Sequence, residues 1–98
     1  MAEFLFLMHA DTRKPVSEDR WRKYIETLVS MGAMRAGSAV GNGRSFRGSG
    51  RPAKVSDDIV GYLKIEAETF DHAETMLAGN PVFEAGGTVE IRALPETP

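Results

Sequence analysis

The chain has 98 residues, of which 42% are hydrophobic and 27% are charged, and its formal net charge is −2. This length predicts a single domain with one core, and the balance is typical of an ordinary globular protein. A dedicated nucleic-acid binder carries a basic excess that neutralises phosphates, so the acidic balance argues against that class. The absence of cysteine excludes disulfides, thiolate nucleophiles and cysteine-ligated metal sites.

An apolar run near the N-terminus, residues 4–9, predicts the first strand. Its residues are apolar at successive positions up to His9, which is typical of a central strand that is covered on both sides of its sheet. The run is far shorter than the roughly 20 residues of a membrane span. It also follows Glu3 and not the basic region of a signal peptide. We therefore expect a cytoplasmic protein without a membrane partner.

The first helix is predicted from Ser17 to the glycine at position 32. Ser17 can cap the free N–H groups of the first turn, where Glu18 and Asp19 add favourable charge. Gly32 supplies the stop. Five apolar residues fall on one stripe of this helix: Trp21, Tyr24, Ile25, Leu28 and Val29.

Glycine-rich turns separate the next predicted elements. Residues 34–40 alternate small and apolar side chains and predict a second strand, which ends at the turn formed by residues 41–43. Residues 45–47 are predicted to return as a short strand. Residues 48–57 then form a loop that we expect to be mobile.

The C-terminal half predicts strand, helix and strand. Residues 59–67 alternate cleanly between two faces and predict the third strand. Thr69 can cap a second helix, which residues 79–81, Gly-Asn-Pro, are expected to end. Residues 88–94 form the last predicted strand, and residues 95–98 a frayed tail.

The predicted order is β-α-β-β-α-β, which is the ferredoxin-like pattern of the α+β class. Such a domain places two helices on one face of an antiparallel sheet. Its other face should be polar, yet the first strand is apolar on both sides. A second copy that packs sheet to sheet would cover this face. We therefore expect a homodimer, in the form of a dimeric α+β barrel.

The segment of residues 37–52 combines glycines and arginines and permits several interpretations. A phosphate-binding loop or a nucleic-acid patch would use such residues, but the spacing matches neither G-x-x-x-x-G-K-[ST] nor a G-x-G-x-x-G that opens a helix. A hairpin with a mobile loop is favoured, because glycine tolerates positive φ. The alternative is a site for an anionic ligand, with donors from Arg35, Arg44, Arg47, Arg51 and Lys54.

His9 and Asp11 are the sharpest candidates for catalysis. They lie two residues apart on the first strand, so both fall on one face, where the carboxylate can orient the imidazole as a general base. In the alternative, His9 bonds a backbone carbonyl and Asp11 only begins the loop to the helix. A metal site that adds His72 is disfavoured, because no ligand spacing is recognisable. The sequence therefore predicts no metal and no cofactor.

Charged residues at alternating strand positions also permit two interpretations. Lys64, Glu66, Glu90 and Arg92 are expected to form cross-strand ion pairs, or alternatively to line a cavity in the dimer. Tyr62 shares a face with Lys64, so its hydroxyl would either project into such a cavity or pack.

Several stretches resemble the YCII-like proteins and their DGPF-domain relatives. They are the helix from Trp21 to Gly32, the hairpin MRAGSAVGNG, and the segment from Val60 to Leu94, within which AGNPVFEAGGTVEIR is the most specific piece. Together with a short N-terminal strand that ends in Asp11, the resemblance spans nearly the whole chain. It implies a single domain over residues 1–98 and a dimeric α+β barrel. Fold alone does not define a reaction, so it implies little about the chemistry.

The resemblance also implies an active site and reveals two departures from it. The family pairs an Asp at the end of the first strand with a His early in the first helix. Asp11 matches the Asp, whereas Arg20 occupies the position of the His. The DGPF motif is absent, and the sequence at residues 49–52 is Ser-Gly-Arg-Pro.

The leading functional hypothesis is a dimeric α+β barrel that binds a small organic molecule between sheet and helix. Catalysis would be general acid/base chemistry of the isomerase or lyase kind by His9 and Asp11. The ligand-binding candidates are Arg20, Arg44, Arg47 and Tyr62. The alternative is a non-catalytic, dimerising accessory or ligand-sensing module.

Overall fold

The structure is a computed structural model, and it describes residues 1–96. Its elements are β1 (Ala2–His9), α1 (Glu18–Ser30), β2 (Met34–Ala39), β3 (Ile59–Ala67), α2 (Phe70–Thr75), α3 (Pro81–Glu84) and β4 (Val89–Leu94). The strands form one antiparallel sheet in the order β2-β3-β1-β4. The predicted α+β, ferredoxin-like class is confirmed. Residues 97–98 of the predicted tail lie outside the described residues.

Helix α1 begins and ends where its local sequence predicts. The Ser17 side chain accepts a hydrogen bond from the backbone N–H of Arg20 at 3.3 Å. At the other end, Gly32 takes a positive φ of 70°, which a residue with a side chain rarely adopts. This turn lets the N–H of Ala33 bond the carbonyl of Leu28 at 2.9 Å. Each end of the helix thereby gains a hydrogen bond for one of its otherwise free backbone groups.

The core lies between the helices and one side of the sheet, called here the helix-facing side. Strands β1 and β3 alternate strictly, and their core residues are Phe4, Phe6, Met8, Leu63, Ile65 and Ala67. Tyr24 and Leu28 of α1 pack on them from above. The predicted alternation of β3 is therefore confirmed, and β1 lies in the middle of the sheet as predicted.

A short helix, α3, was not among the sequence predictions. Asn80 and Pro81 were interpreted only as the end of the second helix, but they also begin α3. The buried side chain of Asn80 accepts hydrogen bonds from the backbone N–H groups of Val82 at 3.0 Å and Phe83 at 3.1 Å. Proline suits the first turn of a helix, because its missing N–H is not needed there. This helix matters for function, because Val82 reaches the cavity described below.

The prediction of a short strand at residues 45–47 is wrong. Residues 40–58 connect β2 to β3 without forming a helix or a strand, and we call this connection the arm. Connections longer than about 12–15 residues are uncommon in compact domains. Glycines and arginines offer the arm few apolar side chains with which to join the sheet. The predicted loop at residues 48–57 lies within the arm, and its mobility stays a prediction.

The opposite side of the sheet, called the open side, carries Leu5 and Leu7 of β1 as half-buried side chains. The molecule is only 18 Å thick along its shortest axis, which fits one sheet and one helix layer. Within residues 1–96, no further layer covers the open side. None of the helices in this part of the chain is long and apolar enough to cross a membrane.

Candidate functional site

A cavity of about 640 Å³ lies beside α1 at one end of the sheet, where residues 8–10, 37–39 and 60–63 come together. Its apolar walls include Met8, Trp21, Ile25, Leu63 and Val82. Polar groups at its border come from four residues, His9, Thr12, Ser38 and Tyr62. This volume and this composition are typical of sites for small organic ligands, which use apolar walls and a few polar groups for orientation.

The cavity exists because small residues occupy the helix-facing side at one end of the sheet. Gly61 of β3 pairs with Ala39 of β2, and both border the cavity. At the other end of the sheet the same side carries Ile65, which is fully buried. A Cβ atom at Gly61 would lie 3.4 Å from the Met8 side chain and 3.4 Å from the Ser38 carbonyl. A side chain longer than alanine at position 61 would therefore extend into the cavity.

His9 borders this cavity at the end of β1, and its carboxylate partner is Glu90. The Nε2 atom of His9 lies 2.8 Å from Oε2 of Glu90, and Arg92 reaches the other carboxylate oxygen at 3.4 Å. The hydrogen bond from His9 is the main reason why the pKa of Glu90 lies below its usual value. The strand register explains this pair. Leu7 lies opposite Glu90 on the open side of the sheet, and His9 follows Leu7 along β1 on that side. The predicted partner, Asp11, does not occupy this position.

Asp11 instead joins the end of β1 to the start of β4. Its carboxylate accepts hydrogen bonds from the Thr88 hydroxyl at 2.6 Å and from the Thr88 backbone N–H at 2.8 Å. These bonds, the hydroxyl first, lower the pKa of Asp11 below its usual value. Asp11 therefore holds the chain next to His9 in place, and a catalytic role for it stays a prediction.

We expect the substitution Thr88→Val to raise the pKa of Asp11 towards its usual value. A carboxyl group with a depressed pKa in the folded state stabilises the fold above its unfolded pKa of about 4, and this stabilisation is lost as pH falls through the folded pKa. The variant should therefore lose less stability than the parent between roughly pH 4 and pH 2. Carboxyl chemical shifts and denaturant unfolding across this range measure both effects.

The matched control for this prediction is Thr27→Val. The Thr27 hydroxyl donates its hydrogen bond to the carbonyl of Lys23 within α1. The Thr27→Val variant should leave the titration of Asp11 unchanged. An Asp11 titration that is the same in Thr88→Val as in the parent protein would contradict the assigned cause of the shift.

The four predicted ligand-binding residues lie in different places. Tyr62 borders the cavity together with His9. Arg20 is exposed in the first turn of α1, and Arg44 and Arg47 are exposed in the arm. None of these three arginines lines the cavity. A ligand role for these arginines stays a prediction.

The charged strand residues form ion pairs on or beside the open side. Lys64 lies 3.5 Å from Glu3 across the strands, and Glu66 lies 2.7 Å from Arg35. The interpretation as ion pairs fits these contacts, while Glu90 has the additional bond to His9. Among residues 1–96 there is no group of three potential metal ligands. His72 uses its Nδ1 atom to accept the backbone N–H of Glu68.

Trp21, Gly61 and Val82 border the cavity, although the sequence did not mark them as functional. Trp21 lies on the predicted apolar stripe of α1, where it packs against the core and borders the cavity. The one available signal was Gly61, a glycine on the core face of an otherwise apolar strand. A glycine there often marks a close approach of another group.

The fold is a ferredoxin-like α+β domain, and it contains an internal cavity. Among solved structures, the chain is similar to TftG, a 5-chloro-2-hydroxyhydroquinone dehydrochlorinase from Burkholderia phenoliruptrix AC1100, in complex with 2,5-dihydroxybenzoquinone. The match has a TM-score of 0.55 at 19% sequence identity and covers 97% of this chain and 95% of that chain. It shows a shared fold. No protein-family model matches the sequence, and no curated protein matches it significantly.

Proposed function

We propose that this protein binds a small, flat organic molecule in the cavity between α1 and the sheet, and that His9, at the strand end that borders this cavity, acts as a general base from the edge of the site. The observation that carries the proposal is the position of His9 on the border of a cavity of about 640 Å³ with mainly apolar walls. Trp21 on one side and the glycine-lined sheet on the other suit a flat ring. The fold shared with TftG, which was solved with a quinone, supports this choice of ligand.

The chemistry proposed for His9 depends on which ring nitrogen carries the proton. When Nε2 carries the proton and donates a hydrogen bond to the Glu90 carboxylate, 2.8 Å away, Nδ1 is the nitrogen that can accept a proton. The carboxylate also stabilises the imidazolium that forms when Nδ1 takes a proton from the ligand. Glu90 thus takes the orienting role that Asp11 was expected to have. Asp11 supports the same strand end through Thr88.

The proposed assembly is a cytoplasmic homodimer, with residues 1–98 forming one YCII-like domain. The uncovered open side supports it, because Leu5 and Leu7 lie there beside Val60, which is 40% exposed. Ion pairs surround these apolar residues. An apolar centre with a polar rim is the usual composition of an interface between subunits.

Binding is tested by titrating the full chain with 2,5-dihydroxybenzoquinone and following tryptophan fluorescence. We expect Trp21, the one tryptophan of the chain, to be quenched, because it borders the cavity. Gly61→Val should weaken binding by at least about tenfold, since its methyl groups enter the space that the ligand needs. The matched control is Gly41→Val, where an added Cβ meets nothing within 4 Å. Equal binding by both variants would reject the cavity as the site.

His9→Asn separates the enzyme from the alternative, a ligand-sensing or accessory module. A positioned general base contributes about 10²- to 10⁴-fold to a rate. If the protein turns over a hydroxylated, chlorinated ring, the variant should lose turnover by this factor while it retains binding within a few-fold. If the parent protein binds the quinone without turnover, and the variant binds it equally well, the ligand-sensing or accessory module would be favoured.

A further inference from the structure

Most residues of the arm are exposed to solvent, and one of them is aromatic. The radius of gyration is 14.9 Å, whereas a compact domain of this length has about 13 Å. The Ser45 hydroxyl bonds the carbonyl of Ala53, which closes the arm and leaves residues 46–52 as its tip. Phe46 in this tip is 84% exposed, more than any other large hydrophobic residue described.

The composition of the tip is that of an interface centre. Phe46 is accompanied by Arg47 and Arg51, which are both exposed. Aromatic residues and arginine are enriched in protein interfaces, and they supply many of the residues that dominate binding energy, whereas lysine and acidic residues are depleted. A phenylalanine ring that is exposed to water does not stabilise the monomer. Its burial against a partner would remove apolar surface from water.

Charge indicates which partner the arm fits. The arm carries four cations and two carboxylates, a net charge of +2, whereas the rest of the chain carries eight cations and twelve carboxylates, a net charge of −4. An acidic body repels nucleic acid, although arginine and phenylalanine are also used to bind single strands. The same acidic body in a second copy attracts the basic arm.

We propose that the arm clasps a second copy of this chain, with Phe46 as its anchor and Arg47 and Arg51 as its charged contacts. The inference rests on the homodimer in the proposed function. It adds a second contact to the one through the open side of the sheet. In a two-fold dimer the contact occurs twice, since each arm meets the body of the other copy.

The test is sedimentation equilibrium of the full chain over a range of concentrations at low and high salt. Phe46→Ser should raise the dimer dissociation constant at least about tenfold, as expected for the loss of one dominant residue. The double variant Arg47→Glu/Arg51→Glu should weaken the dimer at low salt and should reduce its salt dependence. The matched controls are Phe83→Ser, because Phe83 is 47% exposed on α3, and Arg22→Glu on α1. Both controls should change the constant less than about threefold.

Two results would overturn the inference. A dimer that is as tight in Phe46→Ser as in the parent protein would leave the open side as the only contact. A parent protein that is monomeric at all concentrations would reject the arm contact and the homodimer together. Neither result affects the quinone titration, so the cavity proposal is judged separately.

Discussion

Phe6→Ala is expected to lower the free energy of unfolding by about 3–5 kcal/mol. Phe6 is fully buried in the central strand β1, where it lies opposite Leu63 of β3 and Ile91 of β4. Its removal deletes the apolar contacts of the ring and leaves a space that neighbours on both flanking strands cannot fill. Because small domains have a total stability of about 5–15 kcal/mol, the variant should be close to unfolding.

Denaturant unfolding at one fixed protein concentration measures this effect, and Phe83→Ala is the matched control. Phe83 is 47% exposed on α3, so the same truncation there should cost about 1 kcal/mol. Equal losses in the two variants would contradict the assignment of the core to the helix-facing side of β1.

Tyr24→Phe is the second substitution with a large expected effect, a loss of about 1–2 kcal/mol. The Tyr24 hydroxyl donates a hydrogen bond to the carbonyl of Met76 at 2.7 Å, and both groups are buried. The bond joins α1 to the end of α2 above the sheet. The variant removes the donor and leaves a buried carbonyl without it.

The pH dependence of the same variant provides an independent readout. Burial raises the pKa of Tyr24 to about 12 from the ordinary value of 10.0. A group whose folded pKa is raised contributes stability that is fully present below its unfolded pKa and is lost as pH rises through the folded pKa. The advantage of the parent protein over Tyr24→Phe should therefore shrink between about pH 10 and pH 12.

Tyr62→Phe is the matched control for this prediction. Tyr62 is only half-buried on β3, so the substitution should cost less than Tyr24→Phe. Unfolding curves for the three proteins at several pH values decide the question. A difference between parent and Tyr24→Phe that stays constant across this range would contradict the buried phenol.

The helix-forming and strand-forming signals of this chain are local, which is why they could be predicted. Ser17, Gly32 and Thr69 act on backbone groups within a few residues of themselves, so their roles as caps and stops are legible without a structure. The alternation of residues 59–67 is likewise a property of consecutive residues. The arm was harder to predict, because Ser45 and Phe46 have ordinary strand propensity and only the lack of a pairing partner leaves them out of the sheet.

The candidate site was predicted in part. His9 was predicted as a site residue and lies beside the cavity, but its carboxylate partner was sought two residues away at Asp11. The actual partner, Glu90, is separated from His9 by 81 positions in the sequence. Only the register of β1 against β4 brings the two side chains together, and register is decided by the packing of the whole sheet.

The sequence alone determined the order of the main elements, the ends of α1 and the side of β3 that faces the core, because these follow from capping and periodicity. Tertiary structure alone decided the cavity, because that space arises where Gly61 and Ala39 meet across two strands beneath Trp21. It also decided the His9–Glu90 pair. A space and a long-range contact are properties of packing, and no single stretch of sequence carries them.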